Sequence, residues 1–167
     1  DALPISEYTE NIEQKEDEKS IKFFAKRAGY VKEEGGKLDI KDELDIKEIS
    51  FKTTGSINTD LDSNITVNIT EKDITKDAIG AGMNVEVNEL NIEGNVAENT
   101  SIKANKLRIG GHTHSKAKIE ARDAKIAVHL GSFDGDYVEI DRLEGGKVKA
   151  KNAVIKTVVG GEIVAQN

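Results

Sequence analysis

A short phrase of apolar residues at fixed offsets recurs through the second half of the chain, and it restricts the fold more than any other feature. Counted from its first residue, the phrase has apolar residues at offsets 0, 2, 5 and 7, with polar and charged residues between them. Copies begin at Val85, Ile102 and Ile119, and each of the two steps is 17 residues long. The next copy is predicted to begin at Val138, after a step of 19 residues. Offset 11 keeps the same register with Val96, Thr113 and Leu130.

The spacing inside the phrase predicts short strands that turn corners. Alternation within each pair of offsets is the period of a strand, and the odd spacing between the two pairs indicates a bend in the chain. A strand this short cannot bury a face alone, whereas stacked coils bond to each other about 4.8 Å apart and bury a continuous column. The offsets do not form one helical stripe, and β-branched residues occupy most of them. The sequence therefore predicts an all-β fold, a single-stranded parallel β-helix or solenoid.

The predicted solenoid is right-handed. Left-handed β-helices usually carry strict six-residue phrases, whereas the steps here vary from roughly 15 to 19 residues. Right-handed crossovers are also the rule between parallel strands of one sheet.

The predicted core stack consists of inward residues at the phrase offsets. After Val138 the register is ambiguous, because the well-matched copy at Val148 begins only 10 residues later. We interpret Val148 as lying on a different face from Val138, with Ile163 stacked on Val148 itself. The members of the stack are Val85, Val87, Leu90, Ile92, Ile102, Ala104, Leu107, Ile109, Ile119, Ala121, Ile126, Val138, Ile140, Val148 and Ile163.

Composition divides the chain into three parts. Residues 1–20 are acidic and contain no glycine, which predicts a solvated linker or a short frayed helix. Residues 21–36 are rich in aromatic residues and predict an N-terminal cap, since the end of a β-helix is an unpaired sheet edge. Residues 37–167 are the predicted parallel β-helix. Its first coil comprises three short strands within residues 37–51, and a less regular coil is expected within residues 58–82.

Charge and cysteine content exclude several classes of function. The net charge is −7 with both signs interleaved, so no basic face for nucleic acid is expected. Cysteine is absent, which excludes disulfides and thiolate sites and fits a reducing compartment. No apolar run approaches the length of about 18 residues that a membrane span needs, and the start carries no secretion signal. We expect a cytoplasmic chain without membrane insertion, cut from a longer protein because it ends inside a strand phrase.

Two short motifs are candidates for a functional site. His112 and His114 are two residues apart and would share a strand face, which is half of a metal site, but the sequence indicates no further ligands beyond His129. Polar residues in a corner after two glycines are the simpler interpretation. Asp134-Gly-Asp136 resembles part of a calcium loop without its later ligands, and a glycine turn is the preferred interpretation.

Other polar residues predict structure rather than chemistry. Asn88 and Asn105 share one offset, so their side chains are expected to bond to each other between coils, and Arg122 ends this ladder. No nucleophile has a base beside it, and no carboxylate pair has an arguable geometry. We therefore predict no catalytic residue, no cofactor and no resident metal.

Five segments resemble the bacterial flagellar assembly protein A family. They are residues 52–57 (KTTGSI), 77–83 (DAIGAGM), 85–96 (VEVNELNIEGNV), 110–114 (GGHTH) and 159–165 (VGGEIVA). The resemblance implies a right-handed β-helix, a cytoplasmic location and a part in polar flagellum biogenesis, as a scaffold. It supplies no catalytic residues.

Three functions follow from these features. The first is a non-enzymatic cytoplasmic scaffold that binds another protein of unknown identity, in flagellar assembly or polar flagellum placement. The second is a bactofilin-like, self-assembling β-helix, and a homo-oligomer is compatible with both. The third is a polysaccharide-active β-helix enzyme, which normally carries long loops with clustered aspartates.

Overall fold

The computed structural model describes residue 5 and residues 7–167. Those residues are all β or irregular, and no helix occurs among them. The chain divides into two compact units, Asp1–Leu44 and Asp45–Asn167. The second unit confirms the predicted fold class, because its parallel strands stack into a β-solenoid of about 5 turns.

The first unit is built from two antiparallel hairpins. Strand β2 pairs with β3, β4 pairs with β5, and the short β1 lies parallel to β5. Thr9 follows β1 and donates its hydroxyl proton to the carboxylate of Asp39 at 2.6 Å, which ties β1 to β5. The strands are β1 (Glu7–Tyr8), β2 (Ile12–Glu16), β3 (Ile21–Ala25), β4 (Tyr30–Glu34) and β5 (Lys37–Lys41).

A two-residue turn explains why β4 and β5 pair with each other. Gly35 and Gly36 have φ angles of 58° and 80°, and successive positive φ angles are typical of the tight hairpin turns that match the twist of two strands. The turn places Glu34 directly opposite Lys37. Strand β5 is therefore a hairpin strand rather than part of a coil.

These hairpins correct the domain boundaries predicted from composition. The expected linker or helix at residues 1–20 contains strands β1 and β2, and the expected cap at 21–36 is shared between two hairpins. The predicted β-helix boundary at residue 37 is also wrong, because β5 belongs to the first unit. The alternation of Lys37–Lys41 is that of any strand, and it does not reveal whether the neighbouring strand is parallel or antiparallel.

The second unit is organised around one large parallel sheet. Its order is β16-β15-β14-β13-β12-β10-β8-β6, and β7 also pairs with β10. Strands β9 and β11 pair with each other on another face of the coils. Apart from the first two residues of β6, the strands lie within the second unit. They are β6 (Glu43–Ile46), β7 (Ile57–Asn58), β8 (Thr66–Thr70), β9 (Asp77–Ile79), β10 (Asn84–Glu93), β11 (Asn95–Val96), β12 (Ser101–His112), β13 (Lys118–His129), β14 (Ser132–Leu143), β15 (Lys147–Val158) and β16 (Glu162–Ala165).

The inward residues of successive coils align into columns. Val85 is in register with Ile102, and Ile102 with Ile119, as the 17-residue steps predicted. Of the fifteen residues of the predicted core stack, the buried ones are Val85, Val87, Leu90, Ile92, Ile102, Ala104, Leu107, Ile109, Ile119, Ala121, Ile126, Val138, Ile140 and Val148. The columns form a continuous apolar interior, which is the main source of stability in a solenoid.

The register after Ile119 differs from the prediction. Ile119 is in register with Phe133, and Val138 pairs with Ala124 in the second half of the phrase. The corner between β13 and β14 is only two residues long, so β14 begins earlier than the regular step implies. Gly131 makes this short corner sterically feasible, because a Cβ at Gly131 would collide with the carbonyl oxygen of Ala117.

The last member of the predicted stack is only partly buried. Ile163 is in register with Val148, which agrees with the interpretation of their stacking. However, Ile163 is 41% exposed whereas Val148 is 0% exposed. Within the described strands, Val148 has a neighbour in its column on each side, Phe133 and Ile163, whereas Ile163 has a neighbour on one side, Val148.

Candidate functional site

A continuous concave surface of the second unit runs along the solenoid axis. Three shallow depressions share residues with one another, extend from Ser56 to Gln166, and cross strands β7, β10 and β12 to β16. We call this surface the axial trough. It lies on the outer side of the first half of each long strand, and its lining includes Asn58, Leu61, Glu86, Lys103, Asn105, Glu120, Arg122, Asp134, Asp136, Lys149, Lys151 and Gln166.

In-register pairing fixes the spacing of the charged groups in the trough. Lys103 is aligned with Glu120, Glu120 with Asp134, and Asp134 with Lys149. Neighbouring strands lie about 4.8 Å apart, so these outward side chains form a straight row with fixed separations. Between them, small inward residues such as Ala121 and Gly135 contribute almost no bulk to the trough floor.

Some trough charges are paired and others are not. Lys103 pairs with Glu120 at 3.7 Å, and Lys151 pairs with Asp136 at 2.9 Å. Among the described residues, no ion pair within 4.0 Å involves Asp134 or Lys149. Exposed charges of this kind add little to stability, but they guide association and partner choice.

An asparagine ladder forms one wall of the trough. Asn105 donates a hydrogen bond from its side-chain nitrogen to Oδ1 of Asn88 at 3.0 Å, as predicted from their shared offset. The same nitrogen donates to the carbonyl oxygen of Leu61 at 2.8 Å, which fixes the loop between β7 and β8 against the wall. A second ladder, which the sequence interpretation missed, links Asn91 to Asn68 at 2.9 Å.

The Asp134-Gly-Asp136 motif lies within β14, so its interpretation as a glycine turn is wrong. Asp134 and Asp136 both point outward into the trough. Gly135 is required for packing: a Cβ there would meet the Ala121 carbonyl oxygen and would lie 2.9 Å from the ring of Phe133.

The two histidines of the weak metal motif lie near the corner after β12. His112 is exposed, its backbone N–H donates to Asn95 at 3.1 Å, and Nδ1 of His114 accepts from the backbone N–H of Lys116 at 3.2 Å. No group of three or more metal-binding side chains in a suitable arrangement occurs in the part of the chain that the structure describes.

A second charged surface lies on the other half of the long strands. Glu139 is flanked by Lys125 at 3.6 Å and Lys156 at 3.4 Å, and Lys156 also bonds to Asp141 at 2.6 Å. The bond from Lys156 lowers the pKa of Asp141, and the same contact raises the pKa of Lys156. Unlike the trough, this surface is a connected ion-pair network, and we call it the network face.

A buried polar pair in the core is not apparent from the repeat. The third column of the core contains Val96, Thr113, His129 and Leu143. His129 takes the position expected for Leu130, and both Thr113 and His129 are 0% exposed. Because the offset pattern selects apolar residues, a histidine at a core position could be recognised only from the short corner that follows it.

The comparisons with known proteins add no relatives. No protein-family model matches the chain, and no curated protein or solved structure is significantly similar to it. Within the described ranges, no helix is long and apolar enough to cross a membrane.

Proposed function

We propose that this protein is a non-enzymatic scaffold whose axial trough binds a segment of another protein. The observation that carries the proposal is the straight row of outward charges on in-register strands, from Lys103 to Lys149. Such a surface offers fixed geometry to an extended or flat partner without any reorganisation on binding, and preorganisation reduces the cost of association. Asp134 and Lys149 have no ion-pair partner among the described residues and are available to charges of both signs.

The cellular setting of the proposal comes from the family resemblance. The likeness to the flagellar assembly protein A family supports a role in the bacterial cytoplasm, in polar flagellum biogenesis. A rigid solenoid suits a scaffold, since each coil adds one row of side chains at constant spacing.

A charge-swap variant tests the trough directly. The variant combines K103E, E120K, D136K and K151E, which exchanges the signs of two ion pairs while leaving the net charge and the pairing unchanged. We expect the variant to keep its circular dichroism spectrum and melting temperature, because surface substitutions usually change stability by under about 0.5 kcal/mol. We expect it to lose the partner that the wild-type protein captures from a flagellated host, identified by mass spectrometry.

The network face provides the matched control. The variant K125E, E139K, D141K and K156E makes the same four sign exchanges, and it should capture the partner as the wild type does. Equal capture by both variants would contradict the trough as the binding surface. Loss of capture only on deletion of residues 1–34 would show that the solenoid acts as a spacer.

Two further measurements separate the other functions. Filaments in negative-stain images of the purified chain would favour the bactofilin-like alternative. Turnover of acidic polysaccharides by the wild type, reduced by E120Q or D134N, would favour the enzyme and overturn the scaffold proposal.

A further inference from the structure

The buried pair Thr113 and His129 connects two successive coils inside the core. Oγ1 of Thr113 lies 2.8 Å from Nδ1 of His129, and neither residue is exposed to solvent. Leu143 follows His129 in the same column and is also buried. A polar contact in this position is unusual, because the other inward positions of the long strands are almost entirely aliphatic.

Thr113 holds the two coils together through three hydrogen bonds. Its N–H donates to the carbonyl oxygen of Val128 at 3.0 Å, and its Oγ1 accepts from the N–H of Leu130 at 3.1 Å. Because Oγ1 already accepts from Leu130, its own proton is free to be donated to Nδ1 of His129. The imidazole is then neutral, with its proton on Nε2. Nε2 makes no hydrogen bond of good geometry within the described residues, although the Gly131 backbone lies close enough to the ring to favour its protonated form.

We propose that this pair is an acid-sensitive lock: a proton added to His129 disrupts its present bond with Thr113 and loosens β12 from β13 on the third face. Protonation would turn Nδ1 from an acceptor into a donor, so the Thr113 hydroxyl would have to rotate to accept from it, and the hydroxyl proton would lose its acceptor inside the core. It would also place a charge inside an apolar column, which is costly without a counter-ion.

Among the described residues, no charged group acts on the imidazole of His129 strongly enough to shift its pKa. On the neighbouring strands, His112 is exposed, and Arg142 pairs with Glu144 at 2.7 Å on the surface. On its own strand, Lys125 points outward to Glu139. Burial lowers the pKa of His129 to about 4, and only the backbone of Gly131 opposes this shift.

The direction of the pH effect follows from this shift. A histidine has a pKa near 6.5 in the unfolded chain and about 4 in the folded protein. Between these values the unfolded chain binds more protons, so acid favours opening. The stabilising effect of the neutral histidine is complete above pH 6.5 and is lost as the pH falls towards 4. In a solenoid each coil contacts only its neighbours. Local unfolding in acid should therefore begin where the Thr113 coil contacts the His129 coil.

Nuclear magnetic resonance of the wild-type chain tests the proposal without a variant. We expect the ring of His129 to remain neutral below pH 5. The amide of Leu130, corrected for intrinsic exchange, should lose protection on acidification before that of Ile92. Protonation of the His129 ring near pH 6.5, the ordinary value for histidine, or unchanged protection of Leu130, would overturn the proposal.

Urea unfolding gives a second, independent test. For the wild type, the unfolding constant should rise about thirty-fold between pH 7.5 and pH 5, as linkage requires for a shift of this size. The variant H129Q retains a hydrogen-bonding side chain that does not titrate, and its rise should be much smaller. The control H112Q/H114Q should keep the wild-type response. An equal acid effect in wild type and H129Q would contradict the lock, and if H129Q does not fold, the resonance titration decides.

Discussion

Phe133 and Gly135 form one steric unit on β14, in which the ring fills the space that a side chain at Gly135 would need. The ring lies 2.9 Å from the position of a Cβ on Gly135, and the carbonyl oxygen of Ala121 blocks the same position. In the preceding coil the equivalent residues are Ile119 and Ala121. Phe133 and Gly135 therefore take the places that Ile119 and Ala121 have in the preceding coil, at nearly constant total side-chain volume. Dense cores require such conservation of volume.

We expect G135A to lower the free energy of unfolding by about 1–3 kcal/mol, the usual cost of overpacking. Adding F133I should recover only the part of this loss that comes from the ring, because the backbone carbonyl oxygen of Ala121 still blocks the Cβ. Urea unfolding of the two single variants and the double variant measures the coupling. G145A is the control, since a Cβ there has its nearest neighbour at 4.0 Å. Additive effects of F133I and G135A would show that the two positions are independent.

The same pair shows which part of the coil register could be predicted from the sequence and which part could not. The steps from Val85 to Ile119 were predictable, because each coil repeats the same apolar and small residues at the same offsets. At β14 the pattern is concealed, since the motif Asp134-Gly-Asp136 resembles a turn and Phe133 does not resemble the first residue of the phrase. Local turn signals were overridden by packing against β13.

The N-terminal unit was mispredicted for a different reason. Ile12–Glu16 shows little alternation of apolar and polar residues, and its strand is stabilised by pairing with Ile21–Ala25. Pairing between segments cannot be inferred from composition alone. The Gly35-Gly36 dipeptide was the available signal, because it is typical of a tight hairpin turn.

The trough could be predicted only in part. The outward position of residues such as Lys103 and Glu120 follows directly from strand alternation, and so does the ladder between Asn88 and Asn105. The contact of Leu61 with the asparagine ladder depends on the conformation of the irregular loop between β7 and β8. The sequence of this loop has no periodic pattern from which that conformation could be predicted.

The asparagine ladder should contribute measurably to stability. We expect N105A to lower the free energy of unfolding by about 1–2 kcal/mol, because it removes bonds to Asn88 and Leu61 and leaves the Leu61 carbonyl without this donor. Urea unfolding measures the loss, and hydrogen exchange should increase in the loop around Leu61. The exposed Asn152 provides the control N152A, which should be nearly neutral. An equal effect of both substitutions would exclude a special role for the ladder.

The two histidines near the corner after β12, His112 and His114, should not constitute a metal site. We expect H112S/H114S to change the melting temperature little, and Zn²⁺ or Ni²⁺ to leave the wild-type melting temperature unchanged. The physical reason is that Nδ1 of His114 is already engaged by the N–H of Lys116. Thermal melts with and without metal provide the measurement. A metal-dependent rise that disappears in the double variant would establish a site, since a ligand that binds only the folded state stabilises it.

Ile119 and Ile163 lie in one core column and differ in burial. Isoleucine-to-aspartate substitutions at these two positions can therefore be compared directly. Ile119 is 2% exposed and has a neighbour in its column on each side, whereas Ile163 is 41% exposed and has one. We expect I119D to unfold the second unit, because a carboxylate buried between coils has no counter-ion and costs several kcal/mol. I163D should keep the native circular dichroism spectrum and lower the melting temperature only slightly, since water reaches its side chain. Native melting of I119D would refute the assigned register, and equal damage from I163D would show that the last strand is as essential to the core as β13.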